Sequence, residues 1–380
     1  MSCFKKGLSL SAALLAGALL LTACGGAPAS SVSSVPASSV ASSEAAEQPE
    51  EPAMKYTQTP TVPTETYKEE ADFADFLSKA EPGLVIPGLA ENLIPQGMDQ
   101  CDETGILYIS GYYTTDGKSS AILAVDTATG ELTAEYILLN AGGTPFDGHV
   151  GGVAVSEDTL YVSGQKQNGL YTICAIPLKD LPAEGSHEVK LEQTIPVPVS
   201  PSFLSCSHGY LWVGNFYHPG ADYPLSDGMK YTTASADGED YGCYIMGYDL
   251  SKGSLSVADG DDYAQPDVVL VGPNKIQGVV AGEDDTVTLS QSYGRKNNAS
   301  LLRYSLALGE TLDTMLTVQG RDVPGYILDS KRLKESVTAM PMTEALADTG
   351  DGGIYVLFES GAIHYANGTF RTDHVWKIKF

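Results

Sequence analysis

The chain has 380 residues, and its 22 lysines and arginines stand against 48 aspartates and glutamates, giving a net charge of −26. So acidic a surface repels phosphate backbones and anionic headgroups, which argues against nucleic acid as a partner and against membrane contact through protein side chains. The chain is long enough for a sizeable core, as one large domain or two smaller ones.

The first 23 residues predict a lipoprotein signal peptide. Lys5 and Lys6 precede an apolar stretch over 7–21, and Leu21-Thr22-Ala23-Cys24-Gly25 resembles the lipobox of bacterial lipoproteins. The resemblance implies cleavage before Cys24 and lipidation of its thiol, with two or more acyl chains giving a stable anchor. The expected partner is therefore a lipid bilayer, and the expected location is the extracytoplasmic face of the cell membrane. An ordinary secretory signal with a chance cysteine is the alternative.

Three further segments follow the signal. Residues 24–60 contain Ser, Ala, Pro and Glu with few large apolar side chains, which predicts a disordered tether. Within residues 61–82, Phe73, Phe76, Leu77 and Ala80 fall on one helical face and predict a short amphipathic helix that packs on the next domain. Residues 83–380 form that domain.

A repeat runs through residues 83–380. Five times a polar residue beside small residues is followed, about a dozen residues later, by a short apolar strand, as expected for a β-propeller. We predict an all-β propeller of five four-stranded antiparallel blades, closed by an N-terminal strand around Val85. Insertions at 218–240 and 322–341, the second with a helical turn over 328–333, leave a sixth blade open. The repeat's polar residues, which we call markers, are Gln96, His149, Ser202, Gln277 and Glu344.

The innermost strand of each blade starts near the central channel, so the five markers should converge around one opening. Their amide, imidazole, hydroxyl and carboxyl groups would bind a small polar ligand, a protein partner or a divalent metal ion. A water-filled channel that needs polar lining explains them as well. Glycines beside the markers (Gly97, Gly151, Gly152 and Gly278) suit close backbone packing at a narrow axis.

Two segments that follow second strands of blades carry further candidates. We expect 290–295 and 358–360 at the opposite end of the channel from the markers, or at its bottom, with Arg295 and Glu359 forming an ion pair between blades. Arg295 is also a candidate ligand-binding residue. Aromatic residues in nearby loops would stack on sugars or peptides, or pack beneath the loops; they are Tyr112, Tyr113, Phe216, Tyr217 and Tyr223.

Four cysteines remain in the predicted domain: Cys101, Cys174, Cys206 and Cys243. Since none has the Cys-x-x-Cys spacing of a zinc or thioredoxin-type site, we predict buried free thiols rather than a disulfide framework.

Pro95-Gln96-Gly97, Gly148-His149-Val150-Gly151-Gly152, Ile276-Gln277-Gly278, 290–295 and 358–360 together resemble a family of secreted, largely uncharacterised bacterial β-propeller proteins. The resemblance implies the fold and an extracytoplasmic setting, and no established activity. A more distant likeness is to gluconolactonase-type propellers, which hold a metal with Glu, Asn and Asp, whereas this chain has Gln, His and Ser at most of those positions.

These patterns support two hypotheses of function. The first is a membrane-anchored propeller that binds a small polar ligand or a protein partner at its central channel. The second is a metal-assisted hydrolase, lactonase- or esterase-like, with His149 as base or ligand and Glu344 as ligand or acid.

Overall fold

The computed structural model describes residues 53–62, 71–309 and 311–380. The predicted signal peptide, Cys24, most of the predicted tether and residues 63–70 of the predicted helix lie outside these ranges. Nearly all regular structure within them is β-strand, arranged as the five blades of a propeller. The prediction of five blades is therefore confirmed.

Each blade is an antiparallel sheet whose strands follow one another from the channel outward. Blade 1 has β2 (Ile94–Cys101), β3 (Ile106–Tyr112), β4 (Ala121–Asp126) and β5 (Leu132–Asn140). Blade 2 has β6 (Val153–Val155), β7 (Thr159–Ser163), β8 (Tyr171–Pro177) and β10 (Thr194–Val197). Blade 3 has β11 (Phe203–Ser207), β12 (Tyr210–Gly214), β15 (Cys243–Asp249) and β16 (Val268–Gly272). Blade 4 has β17 (Ile276–Gly282), β18 (Thr286–Gln291), β19 (Ala299–Ser305) and β22 (Leu333–Ala339). Blade 5 has β23 (Thr343–Asp348), β24 (Ile354–Phe358), β25 (His374–Ile378) and β1 (Ala80–Val85).

The ring is closed by pairing the two ends of the domain. Strand β1 runs antiparallel to β25, with Ala80 opposite Ile378 and Val85 opposite His374. This confirms that the N-terminal strand completes the last blade, although it begins at Ala80 rather than 83. Closure covers an edge that would otherwise present unpaired backbone groups to another chain.

Extra strands widen two blades. Strand β9 (Gly185–Leu191) pairs in parallel with β5, and a hairpin of β20 (Thr314–Val318) and β21 (Arg321–Ile327) pairs in parallel with β16. The second predicted insertion, 322–341, therefore builds no sixth blade: its first residues belong to β21 on blade 3, and its later residues form β22, the outer strand of blade 4.

The two insertions also contain short local structures. The first carries a two-stranded ribbon of β13 (Thr233–Ala234) and β14 (Asp240–Tyr241). The predicted helical turn in the second is a single turn, in which the Leu333 amide donates to the Asp329 carbonyl at 3.1 Å.

The predicted amphipathic helix is present but short. A 3-10 turn (Ala71–Phe73) leads into α1 (Ala74–Lys79), and Phe73 and Phe76 are buried. The Phe76 ring packs 5.5 Å from that of Trp376, between centroids, and the apolar face packs on the outer parts of blades 4 and 5. Other 3-10 turns are Leu178–Asp180, Leu250–Lys252 and Ile363–Tyr365. No helix among the described residues has the length and apolar character to cross a bilayer.

The described end of the predicted tether, from residue 53, lies on the propeller. Tyr56 is buried, its ring stacks on Tyr113, and its amide donates to the Glu135 carboxylate at 2.7 Å. The Val62 amide donates to the Asp373 carboxylate at 2.6 Å. Residues 53–62, which we call the strap, are therefore held on the propeller by two buried apolar side chains, Tyr56 and Val62, and by two buried carboxylates, Glu135 and Asp373.

Glycines bring neighbouring inner strands into close contact at the axis. A Cβ added to Gly97 would lie 2.7 Å from the Cα of Gly152 and 2.6 Å from the Val153 nitrogen. Gly151 and Gly152 would meet the backbone of Ser202 and Leu204 in the same way. The structural interpretation of the marker glycines is confirmed, since no side chain fits between these strands.

Hydrogen bonds join the blades near the axis. A serine at the end of the second strand donates to a carbonyl of the next blade in three cases: Ser110 to Val150 at 2.8 Å, Ser163 to Pro201 at 2.7 Å and Ser290 to Glu344 at 2.5 Å. Further along the inner strands, Asp99 Oδ2 accepts the amides of Val155 at 2.9 Å and Cys206 at 2.8 Å, connecting blades 1, 2 and 3.

The four cysteines of the domain are free thiols, as predicted. Cys101, Cys174 and Cys243 are buried, and Cys206 is partly buried. Burial raises the pKa of Cys174 to about 12, so that thiol stays protonated and unreactive.

Candidate functional site

One cavity of about 500 Å³ opens at the end of the channel where the inner strands begin. It is lined by all five markers and by Arg295. The structure thus brings together every candidate ligand-binding residue of the predicted domain. Other residues that line it are Tyr112, Lys166, Tyr171, Phe216, Tyr223, Ser292, Tyr293, Met342, Glu359 and Tyr365.

Bulges in three inner strands contain the marker residues. Gln96 falls in a break of register between Pro95 and Gly97, and Gln277 in one between Ile276 and Gly278. Glu344 lies in a similar irregularity of β23. A bulge inserts an unpaired residue and re-aims its side chain. His149 and Ser202 reach the cavity from the loops that immediately precede β6 and β11.

The segments after the second strands lie at the same end as the markers, contrary to our expectation. Glu359 follows β24 and Arg295 follows β18, yet both line the marker cavity. The reason is hairpin geometry, because an antiparallel pair places the end of its second strand beside the start of its first. The predicted direction was wrong for both segments.

A hydrogen-bonded pair of carboxyl groups, Glu344 and Glu359, lies within the cavity lining. Burial raises the pKa of Glu359 to about 7, and burial together with the charge of Glu359 raises that of Glu344 well above its usual range. Gln277 Nε2 lies 3.3 Å from Glu344 Oε1, while Gln96 Nε2 donates to Glu359 Oε2 at 3.0 Å. The Tyr365 hydroxyl also bonds Glu359. Near neutral pH, the protonated Glu344 therefore donates to an ionising Glu359.

Arg295 does not form the predicted ion pair with Glu359. Its guanidinium lies over the Tyr365 ring, 4.7 Å from the centroid. The positive charge still opposes the effect of burial on Glu359 and lowers that pKa. Arg295 thus acts on Glu359 through its charge, and it is an exposed residue of the cavity lining.

His149 stacks face to face on Tyr112, with 3.9 Å between ring centroids and 25° between ring planes. The residue presents an exposed face on the cavity side, while the surrounding protein desolvates the ring and lowers its pKa. The imidazole is consequently neutral near pH 7, able to donate one hydrogen bond and accept another. Tyr112 also bonds Tyr365, which links His149 to the carboxyl pair.

An aromatic rim borders the cavity, made of Phe216, Tyr223 and Tyr293. The Phe216 ring lies 4.9 Å from Tyr223 and 6.3 Å from Tyr293, between centroids. Tyr223 is 48% exposed and Tyr293 is 39% exposed, so stacking surface is open to solvent. Of the five loop aromatics predicted from sequence, Tyr112, Phe216 and Tyr223 line the cavity. Tyr113 stacks on Tyr56 instead, and Tyr217 lines a separate cavity.

Sequence reasoning missed the roles of Glu359, Tyr293 and Tyr365. The first two lie in the segments placed at the wrong end of the channel. Tyr365 lies in the 3-10 turn Ile363–Tyr365, which follows β24 without any repeat pattern. The recurrent position just after each second strand is the signal that would have found the first two.

The cavity residues do not fit the metal site that the gluconolactonase-type likeness implies. No three His, Cys, Asp or Glu side chains are grouped to hold a metal ion anywhere in the described part of the chain. The carboxyl pair bonds to itself and to Gln96 and Gln277 amide nitrogens, which leaves few oxygen donors directed at a common point.

The carboxyl pair also does not have the geometry of a glycoside hydrolase. In those enzymes the two carboxyl groups are about 5 Å or more apart, on either side of the scissile bond. Glu344 and Glu359 are in direct hydrogen-bond contact. What this site can do is hold one exchangeable proton, accept hydrogen bonds from a polar or cationic group, and stack a ligand against aromatic rings.

No protein-family model matches the chain, and no curated protein matches it. Among solved structures, it is similar to the PQQ-bound form of an aldose sugar dehydrogenase from Streptomyces coelicolor, at 12% identity and a TM-score of 0.44, over 79% of this chain and 97% of that one. A glucose dehydrogenase gives 10% identity and a TM-score of 0.39, over 79% and 99% of the two chains. A GH43 β-xylosidase/α-arabinofuranosidase from a compost metagenome gives 12% identity and a TM-score of 0.41, over 79% and 94%. The assignment of the fold rests on the sheet order of the chain itself.

Proposed function

We propose that this chain is a lipid-anchored, extracytoplasmic protein whose propeller binds a small polar ligand in the channel cavity. The single observation that carries the binding proposal is convergence: five markers far apart in sequence line one cavity of about 500 Å³. That volume lies within the range of small-molecule sites, about 300–1,000 Å³. Polar groups that only lined a wet channel would not require the exposed stacking surface of Tyr223 and Tyr293.

A metal-assisted hydrolase is less well supported, because no three His, Cys, Asp or Glu side chains of the described residues are grouped to hold a metal ion. A protein partner that inserts a side chain into the same cavity is the other alternative, and the exposed aromatic rim is the surface that it would contact.

Ligand binding is tested with the full-length protein purified in detergent. Thermal unfolding is measured with a panel of sugars, polyols, amino acids and small organic acids, and compounds that raise Tm are titrated by calorimetry. We expect Gln277→Ala to abolish the shift, whereas Gln167→Ala, at an exposed glutamine outside the cavity, should retain it. If no compound in the panel shifts Tm of a folded protein, the binding proposal fails.

The anchor is tested separately in a bacterial host by metabolic labelling with a palmitate analogue. Wild-type protein should be labelled and enter the detergent phase, and Cys24→Ala should do neither. Cys3→Ala is the matched control, since that residue leaves with the signal peptide, and it should remain labelled. Labelling of Cys24→Ala at the wild-type level would overturn the proposal of a lipid anchor.

A further inference from the structure

Groups of opposite charge line the same cavity without pairing. Glu359 contributes a carboxyl group and Arg295 contributes a guanidinium, and both line the wall. Arg295 instead contacts the ring of Tyr365, and the two side chains remain apart. Two unpaired charges of opposite sign in one small cavity form a complementary surface for a ligand that itself carries both signs.

Glu359 retains capacity to accept a hydrogen bond. A carboxylate has about four acceptor positions. Three donors fill positions on Glu359: the Gln96 amide, the Tyr365 hydroxyl and the protonated Glu344. One position therefore remains for a ligand donor, and a charged ammonium makes the strongest such bond.

Arg295 is the cation available at the mouth of the cavity. Its guanidinium has five donors, and it forms no ion pair with a carboxylate of the described residues. The other cation in the lining, Lys166, is neutralised by an ion pair with Asp227 and lies over the Tyr171 ring. A carboxylate on a bound ligand would thus pair with Arg295, bidentately where geometry permits.

We infer that the ligand is a small zwitterion, an amino acid or a short peptide, with its ammonium on Glu359 and its carboxylate on Arg295. The inference rests on the proposed function, since it names the class of ligand for the same cavity. Phe216 and Tyr293 would contact the side chain or the peptide plane.

Because the ligand's ammonium would bind Glu359, the affinity for the ligand should depend on pH. The groups that face Glu359 are Glu344, Gln96, Tyr365 and, at longer range, Arg295, and His149 connects to it through Tyr112 and Tyr365. An ammonium favours the ionised form of Glu359, which titrates at about pH 7. Below that pH the ligand displaces a proton, so affinity should fall as the solution is acidified.

The test uses the full-length protein and three matched sets of probes: the twenty free amino acids with simple dipeptides, their N-acetyl forms, and their methyl esters. Calorimetry in two buffers of different ionisation enthalpy measures affinity and proton release. We expect free zwitterions to bind, and both blocked forms to bind at least about tenfold more weakly, a factor of the size of one charge-assisted contact. Proton release should approach one per ligand near pH 5.5 and vanish above pH 8.

Variants test whether Arg295 binds the ligand's carboxylate and Glu359 its ammonium. Arg295→Gln should lower the affinity for the free acid about tenfold more than that for the methyl ester, because only the free acid has a carboxylate to pair with Arg295. Arg321→Gln, at an exposed arginine paired with Asp261 on the outer edge of blade 3, is the control and should behave as wild type. Glu359→Gln should remove both the binding and its linked proton.

The outcomes separate this inference from the proposed function. If sugars or polyols bind and no zwitterion does, the ligand class is wrong while ligand binding in the cavity stands. If blocked and free forms bind equally, the assignment of Glu359 and Arg295 is overturned. If nothing binds in these sets or in the panel of sugars, polyols and small organic acids, both proposals fail. Should Glu359→Gln not fold, the comparison of acid with ester in Arg295→Gln decides alone.

Discussion

The buried side chain of Asp99, in blade 1, accepts hydrogen bonds from blades 2 and 3. Its removal should destabilise the whole propeller. The side chain is 2% exposed, and Oδ2 accepts the amides of Val155 and Cys206, which belong to blades 2 and 3. Asp99→Ala would leave both buried amides without acceptors. Each unsatisfied buried donor costs about 1–3 kcal/mol, so we expect the free energy of unfolding to fall by about 2–6 kcal/mol.

The loss can be measured as a shift in Tm. For roughly 320 ordered residues, an unfolding entropy of about 2.1 cal/mol/K per residue converts 4 kcal/mol into roughly 6 °C. Asp102→Asn, at an exposed aspartate just beyond the same strand, is the control and should change Tm by less than a degree or so. An Asp99→Ala protein whose unfolding free energy falls by less than about 1 kcal/mol would refute the role assigned to these two bonds.

The stability of the wild-type protein should also depend on pH through Asp99, in a direction that Asp99→Asn can test. Three backbone amides favour the ionised form of Asp99, but burial outweighs them and raises its pKa to about 8. The folded protein then holds a proton that the unfolded chain releases near pH 4, so stability falls as pH rises from about 4 to 8. Asp99→Asn cannot titrate, and its stability should lack that part of the decline relative to wild type.

Three more predictions concern the axis and the cavity. Because burial raises the pKa of Glu359 to about 7, wild type should lose stability relative to Glu359→Gln between about pH 5 and 7.5 in chemical denaturation; an unchanged difference across that range would contradict the raised value. Gly152→Ala should prevent stable folding, as judged by circular dichroism, since its Cβ would meet the backbone of Leu204, whereas Gly142→Ala, with open space around it, should be neutral. Ser163→Ala, which breaks the bond to the Pro201 carbonyl, should cost about 1 kcal/mol in denaturant unfolding, and Ser256→Ala, at an exposed serine, should cost nothing measurable.

Much of the fold could be predicted from local patterns in the amino-acid sequence. The spacing between marker and strand in each copy predicted five blades. This was possible because each repeat carries its own alternation of apolar and polar residues and its own turn residues, which specify most of one antiparallel blade. The pairing of β1 with β25 followed from the need to cover a sheet edge. The marker glycines also showed their role in sequence, since a position without a side chain indicates close backbone approach.

The strap and the candidate site depended on contacts between residues distant in sequence. Residues 53–60 have a composition typical of disorder, and contacts with distant residues, such as the bond to Glu135 and the stack of Tyr56 on Tyr113, give them a fixed place. Glu359 looked like a partner for Arg295, but the hairpin of blade 5 sets it against Glu344 instead. The repeat by itself determined the ring of markers, whereas tertiary structure decided which charges meet, because burial and hydrogen-bond partners depend on neighbouring strands.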